Sequence, residues 1–183
     1  KMNAQPWLAQ SWSVSNDQLT WTFKISDKAK FSNGNKVTAE AVKESIERAF
    51  EKNKRAATFF KYTDIKAEGQ NLIITTDKPY PNVPGFLADP LFIIVDVSAE
   101  KAGRDFAKEG PIGTGPYKVK SFTKEKAVVE ANENYWDGEV PFKTVEIPSI
   151  DDPTTRALAL QNGDVDLAVN IGAGDLETLR NDS

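Results

Sequence analysis

The 183-residue sequence contains no cysteine and no histidine. The first absence removes disulfide frameworks, thiolate metal sites and cysteine nucleophiles. The second removes the commonest metal ligand and the commonest general base, and with them most zinc chemistry and the serine–histidine hydrolases. A lack of cysteine fits a secreted bacterial protein and a cytosolic one equally. Positive charge is in deficit: 23 Lys and Arg stand against 27 Asp and Glu, a formal net charge of -4. That balance argues against nucleic acid as the main partner, which wants a basic surface. No apolar run approaches the roughly 18–20 residues of a membrane-spanning helix, and the N-terminus has no signal-like apolar block. Any targeting segment is therefore expected outside this chain.

What is present suffices for a core. Hydrophobic residues make up 39%, with ten Phe, four Trp and four Tyr, and charged residues 27%, the ordinary soluble composition. The length fits one generous domain or two small ones. A chain near this size buries about 70% of its unfolded surface, so folding needs neither disulfides nor metal.

Periodicity predicts the elements. Leu19, Trp21, Phe23 and Ile25 alternate with Thr20, Thr22 and Lys24, a strand buried on one face. Asn16-Asp17 before it and Ser32-Asn33-Gly34 after it read as turns. Val42, Ile46, Ala49 and Phe50 form an apolar stripe on a helix from about Ala39 to Glu51, with Thr38 as N-cap. Thr63–Ala67 and Leu72–Thr76 flank Gly69-Gln70-Asn71 as a hairpin. A short helix is expected over Asn82–Ala88, a buried strand over Leu91–Val95, and a helix from a Ser98 cap through Ala107. Tyr117–Phe122, Ala127–Ala131 and Lys143–Pro148 read as strands. Asp152 with Pro153 opens a helix that Gly163 closes, and Asp164–Val169 alternates as a further strand. The fold class is mixed α/β (α+β), strand-rich with several helices.

The candidate motifs divide between structure and function. Gly113-Thr-Gly115 lacks G-x-G-x-x-G and a following Lys-Ser/Thr, and Pro116 removes an amide that a phosphate cradle needs; a rigid turn is the better reading. Asp151/Asp152 sit at a helix cap, and Asp164/Asp166 on the polar side of their strand, so neither pair looks catalytic. Lys52, Lys54 and Arg55 suit the negative end of a helix dipole. Phe59, Phe60 and Tyr62 follow directly, and Tyr135-Trp136 sits in a loop, where aromatics are harder to assign to a core.

Six segments line up in order with one family: Trp7–Trp12; Leu19–Ile25 with Lys30–Gly34; Thr38–Val42; Pro111–Tyr117; Asn132–Trp136; and Asp152–Ala157 with Asn162–Leu167. Together they resemble the extracytoplasmic solute-binding proteins of peptide and nickel ABC transporters, the oligopeptide- and dipeptide-binding type. The resemblance implies a periplasmic-binding-protein-like lobe, with residues 1–183 as part of the N-terminal lobe of a two-lobed receptor whose second lobe lies outside this chain. It implies capture of an oligopeptide for an ABC permease, with a nickel chelate as the alternative cargo. It also implies no enzymatic activity and no cofactor, a monomer, and an extracytoplasmic location reached through an N-terminal anchor beyond this chain. That location is the periplasm or, in a Gram-positive bacterium, a cell-surface lipoprotein. A carboxylate-dependent glycosidase is the remote alternative, requiring two carboxylates facing across a cleft.

By the same resemblance Arg55 matches an arginine that nickel-type members use towards a carboxylate-bearing chelate. Thr58 stands where those members tend to carry tryptophan, and Phe59 completes the ligand-binding set. Leu91–Val95 has no arginine where nickel-type members place a second one. That departure, and the lack of histidine, point to peptide.

Overall fold

The computed structural model of the chain describes residues 3–181. Strand β1 (Ala9–Val14) turns back through Asp17, whose side chain accepts from the Leu19 amide at 3.0 Å, into β2 (Thr20–Ile25). The alternation of β2 is borne out: Trp21, Phe23 and Ile25 are buried in one face. Helix α1 (Ala39–Lys52) starts where Thr38 Oγ1 accepts from the Ala41 amide at 3.1 Å. It lays Val42 and Ile46 against the sheet, and the single-turn α2 (Ala56–Phe59) follows it.

The hairpin comes next, as β3 (Tyr62–Glu68) and β4 (Asn71–Thr76), with Gly69 at φ 60°. The first sheet is antiparallel throughout, in the order β1-β2-β4-β3. Nearly all of the buried apolar side chains gather around this sheet and α1, those of the sheet itself (Leu72, Ile74) packing with Phe31, Phe60 and Val83 from the connecting segments.

Helix α3 (Val83–Leu87) is capped by Asn82, whose side chain accepts from the Gly85 amide. The strand expected over Leu91–Val95 is not formed. Pro90–Phe92 make a 3₁₀ turn because the Asp89 side chain accepts from the Leu91 amide at 2.9 Å. The next residues hang on α1 instead of on a neighbouring strand: the Ser45 hydroxyl donates to the Ile93 carbonyl at 3.3 Å and accepts from the Val95 amide at 2.9 Å.

The helix expected from Ser98 through Ala107 is two. Asp96, not Ser98, caps α4 (Val97–Lys101), and Gly103 at φ 107° ends that run. Asp105 then caps α5 (Phe106–Glu109). A bidentate pair from Arg48 of α1 to Glu100 fastens α4 to the first layer.

The second sheet is β5 (Tyr117–Phe122), β6 (Lys126–Ala131) and β7 (Thr144–Pro148), antiparallel in the order β5-β6-β7. Helix α6 (Pro153–Gln161) opens as expected, with Asp152 accepting from the Thr155 amide at 2.7 Å, and Gly163 closes it at φ 77°. Asp164–Val169 is no strand, which corrects the placing of Asp164 and Asp166 on a strand face. The Asp164 and Val165 amides are consumed by the Ala159 carbonyl at the end of α6, and no strand lies beside the rest among the described residues. Helix α7 (Ala173–Arg180), which periodicity left unpredicted, follows.

The two sheets meet through loops rather than through a shared apolar core. The Ser32 amide donates to the Gly113 carbonyl at 2.9 Å, and the Asn134 side-chain amide to the Ser32 carbonyl at 3.1 Å. Asn132, 2% exposed, donates to the Gly115 carbonyl, and the Trp136 indole N–H to that of Thr114. These residues come from three of the six quoted segments. Their spacing in the sequence reflects one polar interlock.

Beyond Asn132, Ala157 is the one buried residue among the described residues. Ile147, Leu158, Leu167 and Val169 are all more than half exposed.

Candidate functional site

The three residues named from the resemblance fall on one turn. Asn53 ends α1, and its side chain accepts from the Arg55 amide at 3.0 Å. Arg55 takes helical angles (φ -66°, ψ -23°) as the cap of α2. The Thr58 hydroxyl donates to the Arg55 carbonyl at 2.7 Å, closing the turn over Arg55. Residues four apart on a helix share a face, so Arg55 and Phe59 lie on the same side of α2.

The neighbours of that turn are aromatic. Phe59, half-buried, meets the Phe86 ring at 6.0 Å and the Phe92 ring at 5.6 Å, both near-perpendicular. Phe60, fully buried behind it, packs on Phe50 and Phe92. Edge-to-face rings at these separations are a favourable arrangement. The cluster fixes α2 against α1, α3 and the 3₁₀ turn, although α2 is too short to be stable alone. Phe59 therefore serves packing and keeps part of its ring accessible, while Phe60 is core outright.

Arg55 and Thr58 are exposed. Every hydrogen bond found for Arg55 among the described residues runs through its main chain. A guanidinium on a fixed backbone with no partner of its own presents a planar fork of donors, the geometry that suits a carboxylate.

Two further features concern the segment that follows Phe92, whose ring packs on Phe59, and periodicity did not point to them. Ile93 is 65% exposed although Phe92 and Val95 beside it are buried. Ser45, 2% exposed, holds the Ile93 and Val95 main chain. The available signal for Ser45 was its place in the stripe of α1, between Val42 and Ala49, where a hydroxyl needs a buried partner.

A separate apolar groove of about 210 Å³ runs between β1, β2, α1 and α3, lined by Trp12, Phe23, Val42, Leu72, Leu87 and Phe92 among others. Its lining carries no charged side chain, so it offers nothing for the charged termini of a peptide.

Two of the conspicuous carboxylates are held in their charged form. Hydrogen bonding to Thr155 holds Asp152 below its ordinary value, and the Arg48 pairing does the same for Glu100. A general acid needs the opposite shift. Among the described residues no cluster of three or more His, Cys, Asp or Glu could hold a metal ion. Nor is any helix of the described residues long and apolar enough to cross a membrane.

Comparison with known proteins agrees with this architecture. The nickel-binding periplasmic protein of Escherichia coli is 36% identical over 169 residues, 88% of this chain and 32% of that protein. The crystal structure of NikA from Staphylococcus aureus in complex with Ni(L-His)2 superposes with a TM-score of 0.89 at 29% identity, covering 97% of this chain and 37% of that one. DppA from Helicobacter pylori in complex with the peptide STSA superposes with a TM-score of 0.80 at 26% identity, covering 98% and 41%. The chain thus spans about a third of the length of the curated relative it matches. The family profile described as bacterial extracellular solute-binding proteins, family 5 Middle, matches residues 3–183. Both sheets, the loop interlock and the α2 turn lie inside that match, and the chain belongs to the bacterial extracellular solute-binding proteins of family 5.

Proposed function

We propose that the chain is part of the substrate-binding component of an ABC importer, that it captures oligopeptides, and that it delivers them to a membrane permease. The observation that carries the reading is the exposed guanidinium of Arg55, without a side-chain partner among the described residues and fixed four residues from Phe59 on a turn braced by aromatic rings. Arg55 takes the ligand's carboxylate, Thr58 offers a hydroxyl beside it, and Phe59 gives an apolar wall. An extended peptide is held otherwise through its main chain, which tolerates varied side chains.

A nickel chelate is the second reading, favoured by the 36% identity to a nickel-binding protein. A complex such as Ni(L-His)2 brings its own nitrogen ligands and also shows carboxylates, so it asks the same of Arg55 and does not need a histidine from the protein.

On this reading residues 1–183 are part of one lobe, closing over ligand against a second lobe by hinge motion. The exposed apolar side chains Ile147, Leu158, Leu167 and Val169 support it as a surface that further polypeptide covers. The protein acts outside the cytoplasm as a monomer without enzymatic activity or cofactor, held at the membrane by an N-terminal anchor.

The test is calorimetry on the full-length protein that contains this chain, titrated with the peptide STSA and with Ni(L-His)2. Arg55→Gln is expected to weaken the bound species by about tenfold or more, the loss of a charge-assisted pair. Unchanged affinity for both would overturn the assignment of Arg55, and a wild-type protein that binds neither would overturn the cargo.

A further inference from the structure

We infer that Ser45 is a positioning residue for the ligand rim: its buried hydroxyl sets the path of Ile93–Val95 and so presents Ile93 beside the aromatic turn of α2. The inference rests on the ligand reading of that turn.

Ser45 lies on the core-facing stripe of α1, 2% exposed. Alanine is the better helix former at such a position and has no hydroxyl to desolvate. The serine earns its place through two hydrogen bonds to one stretch of main chain, donating to the Ile93 carbonyl and accepting from the Val95 amide. These are the groups that a neighbouring strand would otherwise satisfy, and one side chain takes both. The run Leu91–Val95, apolar enough for a central strand, is thereby held as an irregular segment against a helix.

The consequence is where the side chains go. Phe92 is buried and meets Phe59 of α2 at 5.6 Å, and Val95 is buried as well. Ile93 between them is 65% exposed. A branched apolar side chain turned out to solvent on a pinned backbone, next to the ring that packs on Phe59, is a rim for the apolar part of a ligand whose carboxylate Arg55 holds. Ser45 touches no ligand itself and acts through the main chain of Ile93 and Val95.

The experiment uses the full-length protein with Ser45→Ala, Ser45→Thr and Ile93→Ala. Amide hydrogen exchange is read at Val95, and affinity is read by calorimetry with STSA and with Ni(L-His)2. Ser45→Ala is expected to speed exchange at Val95 about tenfold while the β2 and β4 amides keep their protection, and to weaken whichever probe the wild type binds about fivefold. Ser45→Thr, which keeps a hydroxyl on the same carbon, restores both readings. Ile93→Ala weakens the same probe and leaves Val95 exchange as it was, and its exposed site keeps the test open if Ser45→Ala does not fold. Unchanged Val95 exchange in Ser45→Ala overturns the inference. So does unchanged affinity in either Ser45→Ala or Ile93→Ala. A wild-type protein that binds neither probe overturns the ligand reading itself, and the positioning role with it.

Discussion

The Asn33 side-chain amide donates to Oδ2 of Asp96 at 2.8 Å across 63 positions of sequence. Asn35 donates to the same oxygen, and Ser98 donates to the other through its amide and its hydroxyl. The carboxylate, 3% exposed, has no cation within salt-bridge distance among the described residues. It joins the turn after β2 to the start of α4.

Asp96→Asn is expected to destabilise the protein by about 2 kcal/mol, because an amide cannot accept at both positions and the buried acceptor loses its charge-assisted hydrogen bonds from Asn33, Asn35 and Ser98. Chemical denaturation measures it. A loss below about 0.5 kcal/mol would show the carboxylate to be replaceable, as at an ordinary surface site.

The same carboxyl has a pH signature. Burial raises its pKa, but the hydrogen bonds from Ser98, Asn33 and Asn35 outweigh that and hold it below the ordinary aspartate value of 3.8. A depressed folded value means stability that is fully present above the unfolded pKa and lost as pH falls through the folded one. As pH falls from about 4 towards the folded value, wild-type stability is expected to fall more steeply than that of Asp96→Asn. Parallel curves would contradict the assignment.

Gly110 is irreplaceable for two reasons that coincide. Its φ of 76° with ψ of 158° is a conformation open almost only to glycine, and an added Cβ would stand 2.7 Å from Val119 of β5. Gly110→Ala is expected to cost about 3 kcal/mol from strain plus overpacking. Gly113→Ala is the control, since nothing lies within 4 Å of a Cβ there and its φ is not positive. Equal melting temperatures for the two variants would refute the difference.

Arg156 holds three carbonyls with one guanidinium: Ile150 and Asp151 before α6, and Asn170 after the segment that follows it. An ammonium cannot span them. Arg156→Lys is expected to lose about 2 kcal/mol and to expose Leu167 to faster chymotryptic cleavage. Cleavage at the wild-type rate would mean that the Asn170 contact restrains nothing.

The elements that the sequence made legible are those whose stabilisation is local or one-sided. The alternation from Leu19 to Ile25, the stripe of α1 with its Thr38 cap, the Gly69 hairpin and the Asp152-Pro153 opening of α6 all stand as read. Leu91–Val95 failed because an apolar run specifies burial without saying what will take its amides; Asp89 and Ser45 took them. Asp164–Val169 failed because alternation needs a neighbouring strand to become one, and its first amides went to the end of α6. Naming Arg55, Thr58 and Phe59 together came from likeness to a family, and their sharing one turn is seen only in the structure. No periodicity marks a four-residue helix such as α2, which long-range aromatic packing holds.

Trp136 gives the interlock an optical reading. Of the four tryptophans in the chain, Trp7, Trp12 and Trp21 lie in or before the first sheet, and only Trp136 belongs to the loop that the second sheet contributes. Its indole N–H is spent on the Thr114 carbonyl, and its ring stands edge-on to Trp7 at 6.0 Å. Parting the two sheets would wet this indole while leaving Trp21 in its buried place, so its emission would shift to the red before the core dissolves. The protein thus carries a native fluorophore at the seam between its halves, able to tell separation from unfolding without an added label.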